Sequence, residues 1–559
     1  MRTRVYAGIG VRRTVSHKSL VLPLLAVAAL AQSPQPPAPD GDLVLKATTR
    51  LIQVNVIVRD HRGEPVRDLK QEDFQLFDGG KPQKISVFSM DSNSVLPQVA
   101  PLPANTFTNQ LRQKSAVPSS VTVILIDQIN THYQDQNWAK QQLVKYLKTI
   151  RPEDRVAIYA LGPGLRVLHD FTTDSSGLLA QLERYKNGAI PEADQKDSSF
   201  ARDINSINFD SWMLGGGRGV SPQERDFYMI NRVQGTLNAI EFIADHLAGL
   251  PGRKNLIWLS GGFPLQIGMG SEKAVMDPTR EQRSFGPEVE HAIKALNDAN
   301  VAMYPVDARG LVADTRFDAS SAKVDLAPKL SMGPVVENQQ TMSTLANATG
   351  GHAYFNTNDL SRAIREAVDD SALTYTLGFY PSNENFDGKF HKIDVKTPGH
   401  NGLSTHYRKG YYDVADQPLD ERARKVELQN AVWSPLDSSS LGLVVQVAKA
   451  PADHPNSIDV YIKVDPNGIG VTQNGARNDG AVDVLLIQKD DRGRTFNGET
   501  DTLSLAMKPE TYQKIEREGL VFHKVIPRAV QATQLRVIVR DASSGTLGSV
   551  TVPFRQLKL

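Results

Sequence analysis

The chain has 559 residues, with 63 Lys and Arg against 62 Asp and Glu and a formal net charge of +1, so no bulk attraction for nucleic acid or anionic lipid is built into it. Hydrophobic residues make up 40% and charged residues 22%, the balance of a globular chain, and at roughly 100 to 200 residues per domain the length calls for about three or four domains. Cysteine is absent, which excludes disulfides, thiolate nucleophiles, cysteine zinc sites and a cysteine-linked lipid anchor.

The first residues read as an address. Arg2, Arg4, Arg12, Arg13 and Lys18 form a basic leader, Leu20 to Leu30 an apolar run, and Ala29-Leu30-Ala31 a small-x-small cleavage signal. A signal peptide over 1–31 is predicted, with export to the periplasm, the cell surface or the medium. The apolar run is shorter than the roughly 20 residues that span a bilayer, so no transmembrane segment is expected in the mature chain. Residues 32–42, rich in Pro and polar side chains, read as a flexible lead-in.

Alternating β-formers at Leu51, Val54, Val56 and Val58, then Phe74 to Phe77 and Ile85 to Phe88, predict an N-terminal β module over 43–91. Residues 92–120, with their prolines, read as a linker. The pattern then changes. Val121 to Ile126 is an apolar, β-branched run of the kind buried on both faces of a parallel sheet. Strands at Arg155 to Leu161, Asn255 to Ser260, Val301 to Val306 and His352 to Phe355 alternate with helices at Trp138 to Ile150, Thr173 to Tyr185, Val233 to Leu250, Pro287 to Ala299, Thr341 to Thr349 and Leu360 to Ser371. This predicts an α/β domain over 121–373 with a doubly wound, mostly parallel sheet. Two polar or Gly-rich stretches, Lys186 to Glu224 and Arg309 to Asn338, read as insertions. A β extension over 374–418, a charged, helical connector over 419–440 and a C-terminal β-sandwich over 441–559, with one helix at Pro509 to Gly519, complete the chain.

VIVRDHRGEPVRDLKQEDFQLFDGGKPQKI, VILIDQINT, LPGRKNLIWLSGGFP, VAMYPVDARGL and LANATGGHAYFNTNDL together give Leu43 to Tyr412 a resemblance to the von Willebrand factor A-related proteins of Acidobacterial type. The resemblance implies a von Willebrand factor A fold, in which a divalent metal at the carboxyl ends of the strands is held by D-x-S-x-S, a middle-loop Thr and a second Asp. The metal keeps one position for a partner's carboxylate. Asp127 matches the first Asp and Thr131 the second Ser, but Ile129 stands at the first Ser, and Ser260-Gly261-Gly262 replaces the T-D-G that carries the second Asp. Thr236 is a candidate for the middle Thr, in a stretch that also reads as helix.

Asp127, Thr131 and Ser260 are therefore the metal candidates, for weak Mg2+ or Ca2+ at most because hard cations bind less tightly as ligand charge falls. The alternative is that Asp127 caps the next helix and Thr131 bonds nearby backbone. Asp127, Asn130, Asp307 and Arg309 are the partner-binding candidates, unless Asp307 and Arg309 pair to fix their loop. Ser260 lacks the G-x-S-x-G turn of a serine nucleophile, Gly215 to Gly219 lacks the Lys of a P-loop, and the histidines show no H-E-x-x-H. Gly252-Arg253-Lys254 reads as a solvated basic turn. No catalytic machinery and no assured cofactor are predicted. The expected function is protein binding or adhesion, with an accessory subunit of an envelope enzyme or a structural envelope protein as alternatives.

Overall fold

In the computed structural model, the described residues are 4–5, 51–92, 102–110, 120–185, 222–267, 283–311, 333–381, 388–413 and 421–558. The leader, apart from 4–5, and the lead-in lie outside them, as do most of the two predicted insertions.

The central sheet follows from its apolar runs. Strand β1 (Val121–Asp127) is buried at every position and is followed by helix α1 (Tyr133–Leu147). Strands β2 (Val156–Leu161) and β3 (Leu165–Thr172) lead to helices α2 (Ser175–Arg184) and α3 (Pro222–Leu247). Then come β4 (Lys254–Ser260), α4 (Gly286–Asp298), β5 (Val301–Asp307), α5 (Gly333–Thr349) and α6 (Leu360–Asp369). The sheet order is β5-β4-β1-β2-β3, parallel except for the antiparallel β3.

Because side chains alternate across a strand, Val121, Val123 and Leu125 enter one core with α3, α4 and α5, while Ile124 and Ile126 enter another with α1, α2 and α6. On α3 the buried Val233, Leu237, Ile240, Ala244 and Leu247 recur at helical spacing. Asp174 and Asp359 cap α2 and α6, accepting from the Ser176 and Arg362 amides at 3.0 Å each.

Several expectations change. Helices α3 and α5 begin inside the stretches read as insertions. The edge strand β3 was not anticipated, since only four of its eight side chains are apolar, they keep no strict alternation, and its exposed face mimics a loop. His352 to Phe355 contributes only a single bridge, Tyr354 beside Val306.

The N-terminal module and the β extension are one unit. Ile52–Arg59 pairs with Leu373–Phe379, Val54 opposite Leu377, and with Ser404–His406. Gln75–Asp78 pairs with Phe390–Lys396 in a second sheet, and Val54, Leu76, Tyr375, Ile393 and Tyr411 share one core. The α/β domain is thus inserted between two halves of a β unit. Part of the expected linker also belongs elsewhere: Thr106–Thr108 pairs with Leu443–Lys449, and buried Asn109 bonds the Ser438 and Leu441 carbonyls at 2.6 and 2.7 Å. In the C-terminal unit two sheets share a core that includes Val445, Ile462, Val484, Val537 and Val550. The pair Arg4–Val5 lies antiparallel to Phe522 and His523 at its edge. The helix Glu421–Trp433 occupies the connector, and Pro509–Glu518 the single helix expected in the last unit.

Candidate functional site

Parallel register aligns the carboxyl ends of three strands, with Ser260 beside Asp307 and Leu259 beside Ile126, so Asp127, Ser260 and Asp307 converge on one edge. Asp127 is 1% exposed. Its Oδ2 accepts from the Asn130 Nδ2 at 2.7 Å, the Ser260 hydroxyl at 2.8 Å and the Trp258 Nε1 at 3.0 Å, and its Oδ1 from the Asn130 amide at 3.1 Å. Burial pushes the Asp127 carboxyl above the usual carboxylate range, against the opposing pull of these donors.

The network extends outward. Asn130 Nδ2 also donates to Thr236 Oγ1 at 2.7 Å, and Thr236 donates to the Arg232 carbonyl one turn back at 2.8 Å. Thr131 Oγ1 accepts from the Gly261 amide at 3.1 Å, and Ser260 Oγ from the Gly262 amide at 2.9 Å. Asn338 on α5 donates to the carbonyls of Gly261 and Gly262. Ile129, at the first Ser position of the metal motif, packs against the apolar core instead.

These residues do not fit a hard divalent cation. Such an ion needs free oxygen lone pairs, whereas Asp127 Oδ2 already faces three donors, one of them an indole N–H that offers no oxygen. The oxygens of Thr131 and Ser260 are likewise turned to backbone amides. A Cβ at Gly261 would stand 2.5 Å from the Asn130 carbonyl oxygen, so the Asp of the family motif has no space there. Among the described residues no group of three or more His, Cys, Asp or Glu is placed to hold a metal.

Asp307 and Arg309 form a bidentate pair. Nε and Nη2 reach the two carboxylate oxygens at 2.8 and 2.7 Å, the Arg309 amide adds a bond at 3.0 Å, and the Asp307 side chain has no exposed surface. The pair fixes its own loop, so the partner-facing expectation for Asp307 is corrected: its charge is consumed internally. Helix α1 starts behind His132 with no side-chain cap, so Asp127 holds a turn rather than capping that helix.

Two apolar side chains stand out at the same edge. Tyr133, at the start of α1, is 61% exposed, and Leu311, beyond β5, is 60% exposed. Their segments touch: Gly310 adopts φ +72°, and a Cβ there would lie 2.8 Å from the Trp138 ring of α1. Sequence reading missed Trp258 and Asn338. Trp258 sits two residues before Ser260 and so on the same face of β4, which is the signal that was available; Asn338 fell within the presumed insertion.

The basic turn is also corrected. Arg253 and Lys254 are 3% and 2% exposed: Arg253 lies beside Gln53, Asn55 and Arg408 of the N-terminal β unit and donates to the Tyr304 hydroxyl. Lys254 Nζ donates to the Leu250 carbonyl at 2.6 Å, and burial pushes its ammonium down to about 7.

No family model and no curated protein matches the chain. Solved structures similar to it include von Willebrand factor A domain proteins, at low TM-score. They include BatB from Bacteroides thetaiotaomicron, 14% identical over 45% of this chain and 98% of that one, with a TM-score of 0.24. The von Willebrand factor domain of the type V pilus tip protein Mfa5 from Porphyromonas gingivalis is 10% identical over 45% of this chain and 94% of that one, TM-score 0.24. A von Willebrand factor type A protein from Catenulispora acidiphila is 10% identical over 84% of this chain and 73% of that one, TM-score 0.23. At such TM-scores the site has to be read from its own geometry. Among the described residues no helix is long and apolar enough to cross a membrane.

Proposed function

We propose that the chain is an exported, non-catalytic protein-binding or adhesion protein that meets its partner at the carboxyl edge of the α/β sheet without a bridging metal ion. The observation that carries this reading is a contrast at that edge. The oxygens of Asp127 and Asp307 are engaged inside the fold, while Tyr133 and Leu311 stand exposed on adjoining segments. Exposed apolar anchors on a rigid scaffold are what a protein interface buries. The non-catalytic part is supported by Ser260, whose buried hydroxyl donates to Asp127 rather than to a histidine base. Export rests on the basic leader, the apolar run and Ala29-Leu30-Ala31.

The test is capture from native envelope extract by the mature chain and by a Tyr133→Ser, Leu311→Ser double variant. Capture should be lost in the variant at unchanged Tm and should persist in EDTA. Retained capture by the variant, or loss in EDTA, overturns the reading. N-terminal sequencing of the native protein should begin at Gln32.

A further inference from the structure

The two sheets of the C-terminal unit turn alternate side chains into their shared core. On Leu520–Pro527 these are Leu520, Phe522 and Ile526, and on Thr495–Met507 they are Leu503, Leu505 and Met507. Three charged residues keep the same inward register. Lys524 stands between Phe522 and Ile526, and Glu499 and Asp501 extend the stripe that runs from Leu503 to Met507. The lysine reaches from one sheet to the other, because Leu520–Pro527 pairs with Ser457–Val464 whereas Thr495–Met507 pairs with Arg477–Lys489. Its side chain is 13% exposed, and its Nζ lies 2.6 Å from Glu499 Oε2 and donates to Asp501 Oδ2. Ions set at core positions lose hydration that their mutual attraction only partly returns. An amine and two carboxylates held in contact there are also the components of a condensation.

We propose that Lys524 and Asp501 condense into an amide that ties the two sheets together, with Glu499 as the proton carrier. Burial acts to lower the Lys524 ammonium, but its bonds to Asp501 and Glu499 outweigh burial and hold it above the ordinary range. The step therefore starts from ammonium and carboxylate. Glu499 takes a proton from Nζ and frees its lone pair. The bond from Nζ to Asp501 Cγ then forms and a Cγ–O bond breaks. Of the ammonium protons one stays on nitrogen and two leave with the oxygen as water, one of them by way of Glu499. Asp501 is the acceptor because its side chain, 41% exposed against 28% for Glu499, lies nearer the rim, where the water can escape. The chain has no cysteine, so no disulfide can join these sheets, and an amide joins them without a redox couple. The closed loop contains the helix Pro509–Glu518, and closing it restricts the unfolded chain as any cross-link does.

The experiment is a tryptic digest of the purified, denatured full chain, read by tandem mass spectrometry. Residues 495–514 and 518–528 should appear as one joined peptide, lighter than their sum by one water and uncut at Lys524. Fragment ions should place the bond between Lys524 and Asp501. Asp501→Ala and Lys524→Arg should give only separate peptides. Glu499→Gln keeps both reacting groups, removes the proton carrier and should lose most of the link. Should these variants fail to fold, the parent digest decides alone: the absence of a joined peptide overturns the proposal and leaves an ion pair between the sheets. A bond ending on Glu499, or Glu499→Gln linked as fully as the parent, overturns the roles assigned to the two acids.

Discussion

The indole N–H of Trp258 donates to Asp127 Oδ2 over 3.0 Å, between two side chains that are both 1% exposed or less. A strand residue thus fills, with a donor, a place where a metal site needs an acceptor. Asp127→Ala would leave the Trp258, Ser260 and Asn130 donors facing an apolar void. A loss of about 2–4 kcal/mol is expected, because buried donors without acceptors carry their full desolvation penalty. Chemical denaturation of parent and variant measures it, and a change within about 0.5 kcal/mol, the range of an ordinary surface substitution, would contradict the assignment.

Restoring the family's second acid should not restore a metal. In Gly261→Asp the new Cβ meets the Asn130 carbonyl oxygen at 2.5 Å, so the expected outcome is a destabilised chain with no gain in Mg2+ or Ca2+ affinity. For the parent chain, isothermal titration should show millimolar binding or none. Micromolar binding by either chain would show that the oxygens of Asp127 rearrange on demand.

Lys254 gives a pH signature. Its ammonium is pushed down to about 7 in the fold from an ordinary 10.5, by burial alone. Between those values the unfolded chain holds a proton that the folded chain lacks, so stability rises with pH across that window and is flat in this contribution below it. Lys254→Met should be more stable than the parent near pH 7 by about 2–4 kcal/mol. The advantage should shrink steadily toward pH 10.5. Urea melts across the range test this, and a constant difference would mean that Lys254 stays charged in the fold.

The N-terminal β unit should not fold from its first half. A fragment of residues 43–120 lacks Leu373–Phe379 and Phe390–Lys396, which pair with Ile52–Arg59 and Gln75–Asp78. It should show no cooperative melt by circular dichroism, whereas the same fragment joined by a short linker to residues 372–413 should show one. Independent folding of the shorter fragment would show that the long-range pairing is dispensable.

The sequence by itself determined the buried parallel strands of the central domain and the presence of its helices, though not the edge strand β3, because runs such as Val121–Asp127 and Val301–Asp307 are apolar at nearly every position and the α3 stripe has helical period. It also placed Asp127, Thr131 and Ser260 at strand ends, since the residues after a buried run must leave the sheet together. Tertiary structure alone decided that Val54 lies opposite Leu377, that Arg253 and Lys254 are buried, and that Asp307 is closed off by Arg309. The physical reason is shared by the first two: periodicity reports which face of an element is apolar, whereas strand partners and the covering of a sheet edge depend on segments far away in the chain. For the third, Arg309 stands two residues from Asp307, and only the folded loop turns its guanidinium inward onto the carboxylate instead of out to a partner.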